Sequence, residues 1–222
     1  MDASFFLTLG GFLNWIGIVL LPVFLLPLAT LVLPGVFSAS AKILASNLDR
    51  ATGWALNLAI LAAVALFLLQ LVVVIAGYAF ALSWTWLSEL VIYAFATVFM
   101  LGAASALRED AHVRVDILRP AFGENGRDWI ELAGTYLFLF PICVRLLTTG
   151  EQGLTRSWSL FEGSRESDGL PILFLFKTLV PAFAVLLLSQ GLSVALKAAL
   201  RLTGGSTPGE KTPEQQSESH GT

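Results

Sequence analysis

Uncharged stretches as long as a bilayer is thick alternate along this chain with short charged ones. Residues 12–37 and 54–80 carry no charge at all, and 84–107, 129–149 and 170–196 carry few. About 20 mostly apolar residues, rising 1.5 Å each, cross the hydrocarbon core of a membrane. Such a span must be helical, because lipid offers no partners for open backbone groups. The pattern therefore predicts an all-α integral membrane protein. Four core transmembrane helices lie over 54–80, 84–107, 129–149 and 170–196, preceded by an extra N-terminal hydrophobic segment and an amphipathic surface helix.

The N-terminal segment, 12–37, contains Pro22, Pro27 and Pro34, and each proline removes an internal helix bond. It is read as a kinked span, with a re-entrant or interfacial segment as the rival. A cleaved signal peptide is disfavoured, because Met1-Asp2 lacks a basic start and the apolar run is too long, although Ala39-Ser40-Ala41 has the look of a cleavage site. Over 39–53, Ile43, Leu44, Leu48 and Ala51 fall on one helical face and Lys42, Asn47, Asp49 and Arg50 on the other. That is the pattern of a short helix lying on the membrane surface, or equally of a helical connection on the water side. The second and third spans are joined by a short connection near 81–85, and Trp84 and Trp86 sit like an interfacial aromatic belt. Pro141 interrupts the fourth span. Residues 150–169 are polar, with Trp158 and Phe161 dipping back to the interface, and Pro171 and Pro181 mark the fifth span. Beyond Arg201 the chain turns to Gly, Ser, Thr, Pro, Glu and Gln, too polar to build a core.

Composition sharpens this picture. Of 222 residues, 56% are hydrophobic and only 13% charged, against about 25% charged in soluble domains, and the mean hydropathy is +0.77. The net charge of -3 and the lack of a basic stripe interleaved with aromatics give no footprint for nucleic acid. The distribution of positive charge orients the chain. Lys42, Arg50, Arg108, Arg114, Arg119, Arg127, Lys197, Arg201 and Lys211 fall on one side, and only Arg156 and Arg165 on the other. Cytoplasmic loops carry the excess of Lys and Arg, so the C-terminus is expected in the cytoplasm and the protein in a bacterial inner membrane.

Chemistry-bearing residues are few. Cys143 is the one cysteine and cannot form an internal disulfide or a cysteine metal cluster. His112 and His220 lie outside the hydrophobic segments, so two histidines of this chain cannot hold a membrane haem. His112 alone is a poor start for a metal site, and Ser164 and Ser167 have no histidine base beside them. No P-loop is present. Catalytic, cofactor-binding and metal-ligating residues are therefore all assigned as none. Glu89 is the acid nearest a membrane interior, where a charge costs about 2.5–3.5 kcal/mol on insertion scales. It is read as a structural partner in preference to a proton relay. Lys177 and Arg145 can reach an interface by snorkelling or meet a neighbouring subunit or a lipid headgroup, and Arg145, Glu151 and Arg156 form a candidate outer-surface cluster of little energetic weight. Residues 108–116 alternate charged and apolar positions and read as a structured surface segment.

Four patches together resemble the small membrane (Q-type) subunit of tripartite ATP-independent periplasmic (TRAP) transporters. They are the run Trp86 to Tyr93 with Glu89 inside it, Phe99 to Arg108, His112-Val113-Arg114-Val115-Asp116, and Glu166-Ser167 followed by Leu170-Pro171, Lys177, Pro181 and Ser189-Gln190-Gly191-Leu192. The resemblance covers roughly 40–201. It implies a chain that scaffolds a large multispan, sodium-coupled subunit, for uptake of an organic acid delivered by a periplasmic solute-binding protein. It also implies contact with membrane lipid, no nucleic acid partner and no enzymatic activity. Trp86, Glu89, Arg108, His112, Arg114, Asp116, Glu166 and Lys177 become the candidate interface or structural polar residues. The division expected is 1–38 as the extra segment, 39–201 as the four-helix domain, and 202–222 as a disordered tail. A membrane anchor of a redox enzyme and an autonomous small channel or transporter are the competing functions.

Overall fold

The computed structural model describes residues 22–109 and 123–205. Helix α1 (Pro22–Val32) is followed by α2 (Pro34–Phe80), α3 (Thr85–Arg108), α4 (Gly123–Gly134), a π-helical turn over Thr135–Leu139, α5 (Phe140–Ser159), α6 (Leu173–Lys177) and α7 (Leu179–Leu202). No strand occurs among the described residues. Four helical runs are long and apolar enough to cross a membrane: Pro34–Phe80, Thr85–Arg108, Asn125–Ser159 and Leu173–Leu202. The all-α membrane bundle expected from the hydrophobic pattern is what the chain forms. Residues 1–21, residues 110–122 with His112, Arg114 and Asp116, and residues 206–222 lie outside the described residues.

Prolines set the first break. Leu33 leaves the helical region, at φ -132 and ψ 67, because a proline crowds the residue before it out of the α conformation. Pro34 then opens α2, where its missing N–H costs nothing. The described part of the N-terminal segment, α1, rises only about 16 Å, too little to cross a bilayer by itself. It packs within the bundle: the Phe24 ring meets Phe140 edge-on at 5.0 Å, and Tyr136 donates its hydroxyl to the Phe24 carbonyl.

The separate surface helix expected over 39–53 is replaced by one continuous helix. α2 runs 47 residues, about 70 Å, and joins that stretch to the second span without a break. Only Gly53 weakens the junction, and one glycine costs about 1 kcal/mol relative to alanine, too little to end a helix this long. The buried face is only partly the one expected: Leu44 and Leu48 do pack against the core, but smaller residues lie deeper. Ala41, Ala45 and Thr52 are buried, whereas Ile43 is 65% exposed. Small residues face inward because another helix lies close there, and the Ser193 hydroxyl reaches the Ala45 carbonyl at 3.4 Å.

That other helix is α7, which packs against α2, α3, α4 and α5 and forms the centre of the molecule. Leu188, Leu192, Leu196 and Leu200 of α7 make one core with Ala41, Ala45, Phe140 and Cys143. The polar connection expected over 150–169 is shorter than anticipated, since α5 continues to Ser159. Upstream, the helix widens into its π turn just before Pro141, and the Phe140 N–H bonds back to the Thr135 carbonyl. A proline inside a helix lacks its own N–H and crowds the carbonyl four residues earlier; the extra residue of a π turn relieves that crowding while keeping the run continuous. The fifth span divides into α6 and α7 about Thr178, three residues before Pro181.

Gly191 lies where α7 crosses this π turn, and a Cβ there would collide with the Leu139 side chain, with Phe140 and Thr135 next in line. Leu139 can swing away from a methyl group but not from a branched chain. Gly191→Leu is expected to lower stability by about 1–3 kcal/mol through overpacking and Gly191→Ala by much less, as read by thermal unfolding in detergent.

Candidate functional site

The polar side chains gather into two knots, one at each end of the bundle. Along α3, Glu89 and Arg108 are separated by about 28 Å of helix, close to the ~30 Å thickness of a hydrocarbon core. Each belongs to a different knot.

The first knot centres on Asp49 of α2. Its carboxylate accepts from Lys197 Nζ at 2.6 Å, Ser193 Oγ at 2.7 Å and Gln190 Nε2 at 3.3 Å. Gln190 Oε1 in turn accepts from Thr52 Oγ1 at 2.7 Å. Gln190, Ser193 and Lys197 lie at i, i+3 and i+7 on α7 and so share one face. Arg108 closes the knot from α3, with Nη1 donating to the Asp49 carbonyl at 3.3 Å and Nη2 paired to Glu109 at 2.9 Å. One turn beyond Lys197, Arg201 donates to Asp128 at 2.7 Å and Glu131 at 2.8 Å, which ties α4 to the same helix. At this end α2 and α4 are thereby bonded to α7, and α3 to α2.

The second knot organises the connection between α5 and α7. Glu89 accepts the Ser164 hydroxyl on one carboxylate oxygen and the Leu170 N–H on the other, at 2.7 Å. Gly169 is squeezed between them, and a Cβ there would collide with the Ser164 side chain. Asp168 accepts from the Thr85 N–H at 3.3 Å, placing a negative charge at the N-terminus of α3, where the helix dipole favours it. Glu162 accepts from Ser157 Oγ at 2.7 Å and pairs with Lys177. The Lys177 ammonium, with help from the Ser157 hydroxyl, holds the Glu162 carboxyl below the usual carboxylate range. Rings close over the same region: Trp158 and Phe161 meet Phe174 edge-on at 4.9 and 5.5 Å, and Tyr93 stacks on Phe176 at 4.2 Å.

Of the residues singled out from the sequence, Glu89 and Lys177 fall in the second knot and Arg108 in the first. Trp86 stands at the rim, 6.4 Å from Trp84 ring to ring. Glu166 contributes through its backbone, its N–H donating to Ser164 Oγ at 3.2 Å and its carbonyl accepting from Gly169; its carboxylate is exposed. His112, Arg114 and Asp116 are outside the described residues. No ion pair joins Arg145, Glu151 and Arg156 among the described residues. Asp49, Glu162, Lys197 and Arg201 were missed. The i, i+3, i+7, i+11 stripe of Gln190, Ser193, Lys197 and Arg201 was the signal that could have found two of them, Lys197 and Arg201.

The family model for tripartite ATP-independent periplasmic transporters, DctQ component, matches residues 66–201. The chain belongs to the DctQ family. The matched region takes in both ends of the α3–α7 framework, with Glu89, Arg108, Glu162, Lys177 and Lys197, and begins inside α2, after Asp49. No curated protein and no solved structure matches the chain. This DctQ component is thus a multi-pass membrane protein and a small membrane component of a TRAP transporter.

Two consequences of the knots can be measured. Asp49→Ala leaves Lys197 and Gln190 without their acceptor at a site only about a fifth exposed. A loss of about 1–3 kcal/mol is expected, and Asp49→Asn, which keeps an acceptor oxygen but no charge, should lose less in the same thermal unfolding assay. For Glu162 the folded-state pKa is the lower one, so its contribution is present at neutral pH and lost as pH falls through that lowered value. The stability difference between wild type and Glu162→Gln should therefore hold from neutral pH down to the ordinary glutamate value of about 4.3. It should shrink below that in an acid titration of thermal stability.

Proposed function

We propose that this DctQ component is the fixed scaffold on which a large, sodium-coupled membrane subunit is held for uptake of an organic acid delivered by a periplasmic binding protein. The observation that carries this reading is the way polar groups are used. Asp49, Arg108, Glu162, Lys177, Lys197 and Arg201 are paired with one another or with near neighbours inside the chain, and Glu89 is occupied by the 164–170 loop. Coupled transport needs polar groups converging near the membrane midplane, and here the charged groups are committed to fixing helix ends. The exterior, in contrast, carries many exposed large apolar side chains along α2, α3 and α5.

The bias of positive charge supports a cytoplasmic location for the Asp49 knot and for the C-terminus in a bacterial inner membrane, with the Glu89 knot on the periplasmic side. Acting as a transporter component, the chain performs no enzymatic reaction of its own. Tagged chain purified from its native membrane in mild detergent is expected to bring down a larger multispan protein in stoichiometric amount, identified by mass spectrometry. Alanine at Glu89, Arg108 or Lys177 should lower recovery of that protein and solute uptake together, leaving substrate binding by the periplasmic protein unchanged. A stable homo-oligomer with no partner would overturn the proposal.

A further inference from the structure

Between Leu58 and Ala76 of α2, Gln70 is the only polar side chain. It does not turn inward. Gln70 is exposed and lines an open groove of about 520 Å³ between α2 and α3, whose walls are Ala63, Leu66, Phe67, Val91, Ile92 and Phe95. Phe67 is 68% and Phe95 56% exposed. The α3 wall lies within two turns of Glu89, inward along the helix, so the groove opens where acyl chains would otherwise lie. Only 6% of the apolar window of α2 is buried, compared with 44% for the run that ends in α7.

Lipid tails can cover the aromatic and aliphatic walls as well as a protein can, but they offer nothing to a carboxamide. In membranes, polar side chains of this kind act as hydrogen-bonding glue between helices, and small residues beside them let the backbones approach. Gln70, with Ala63 two turns away on the same face, supplies both. From this we infer that the Gln70 groove is the seat of a transmembrane helix of the large subunit, which presents a hydrogen-bonding group to the Gln70 amide and apolar side chains to Phe67 and Phe95. The inference rests on the scaffold reading above and adds to it the face that docks. A second groove, lined by Pro141, Ile142, Leu146 and Val180, is the natural comparison, because its one charged member, Arg145, can snorkel to lipid headgroups and needs no protein partner.

The test is photo-crosslinking in the native membrane, with the complete transporter expressed and benzoylphenylalanine placed singly at Phe67, Phe95 or Ile142. Adducts to the large subunit from positions 67 and 95, and not from 142, are the expected result. Adding Gln70→Leu should reduce the adduct yield from position 67 by about threefold, the scale of one interhelical hydrogen bond in a membrane. Adducts from 142 alone, lipid adducts from all three positions, or a crosslinked dimer of this chain would overturn the face assignment while the larger protein still copurifies and the scaffold reading stands. A Gln70→Leu yield equal to that of the unsubstituted chain would overturn the role of the amide. Failure of any larger protein to copurify would instead overturn the scaffold reading, and this inference with it.

Discussion

Hydrocarbon solvates no charge and no open hydrogen-bond donor, and the arrangement of this protein follows from that constraint. The charged groups that are paired do not disperse over the surface as in a soluble domain. They converge on Asp49 at one end and on Glu89 and Glu162 at the other, with an apolar run of α3 between them. Each acid accepts several donors at once, so one carboxylate fixes several chain segments. Asp49 holds α2 against α7 and, through its carbonyl, α3. Glu89 fixes the loop leading into α6 and α7. The apolar packing around α7 then has little left to specify except distance, which small residues such as Ala45, Gly191 and Ser193 set.

Much of the fold was legible because hydrophobic length is a strong signal. Uncharged runs as long as 54–80 have few alternatives to a spanning helix, and the third span agrees with α3 to within a residue. What misled was local amphipathicity. The polar face of 39–53 looks like a water-facing surface because Lys42, Asn47, Asp49 and Arg50 lie together. Asp49 nevertheless turns to a lysine 148 residues away, and a long-range pairing of that kind leaves no trace in a helical-wheel pattern. The extension of α5 was hidden for a related reason: Glu151, Gln152 and Arg156 read as a polar loop, although a helix that projects beyond the bilayer carries the same residues.

The candidate polar residues divide along the same line. Glu89 and Lys177 stood out because charge inside an apolar run is costly and demands a partner. Their partners, Ser164, the Leu170 backbone and Glu162, sit in a connecting segment whose composition says nothing about its contacts. Glu166 was chosen from the same segment by resemblance, but the work there falls to its neighbours Glu162 and Asp168. Family likeness located the loop, and geometry distinguished the acids within it.

The unbroken course of α2 carries a further consequence. A helix turns about 100° per residue, so the azimuth of every position from Trp54 to Phe80 is set by the anchoring of Asp49 at its near end. Substitutions along this rod change its chemistry locally, but a single inserted or deleted residue between Thr52 and Ala63 would rotate the whole distal half by more than a quarter turn. Gln70 and Phe67 would swing away from the wall formed by Val91 and Phe95. The segment is therefore constrained in phase more tightly than in composition, and the architecture depends on its length more than on the identity of its residues.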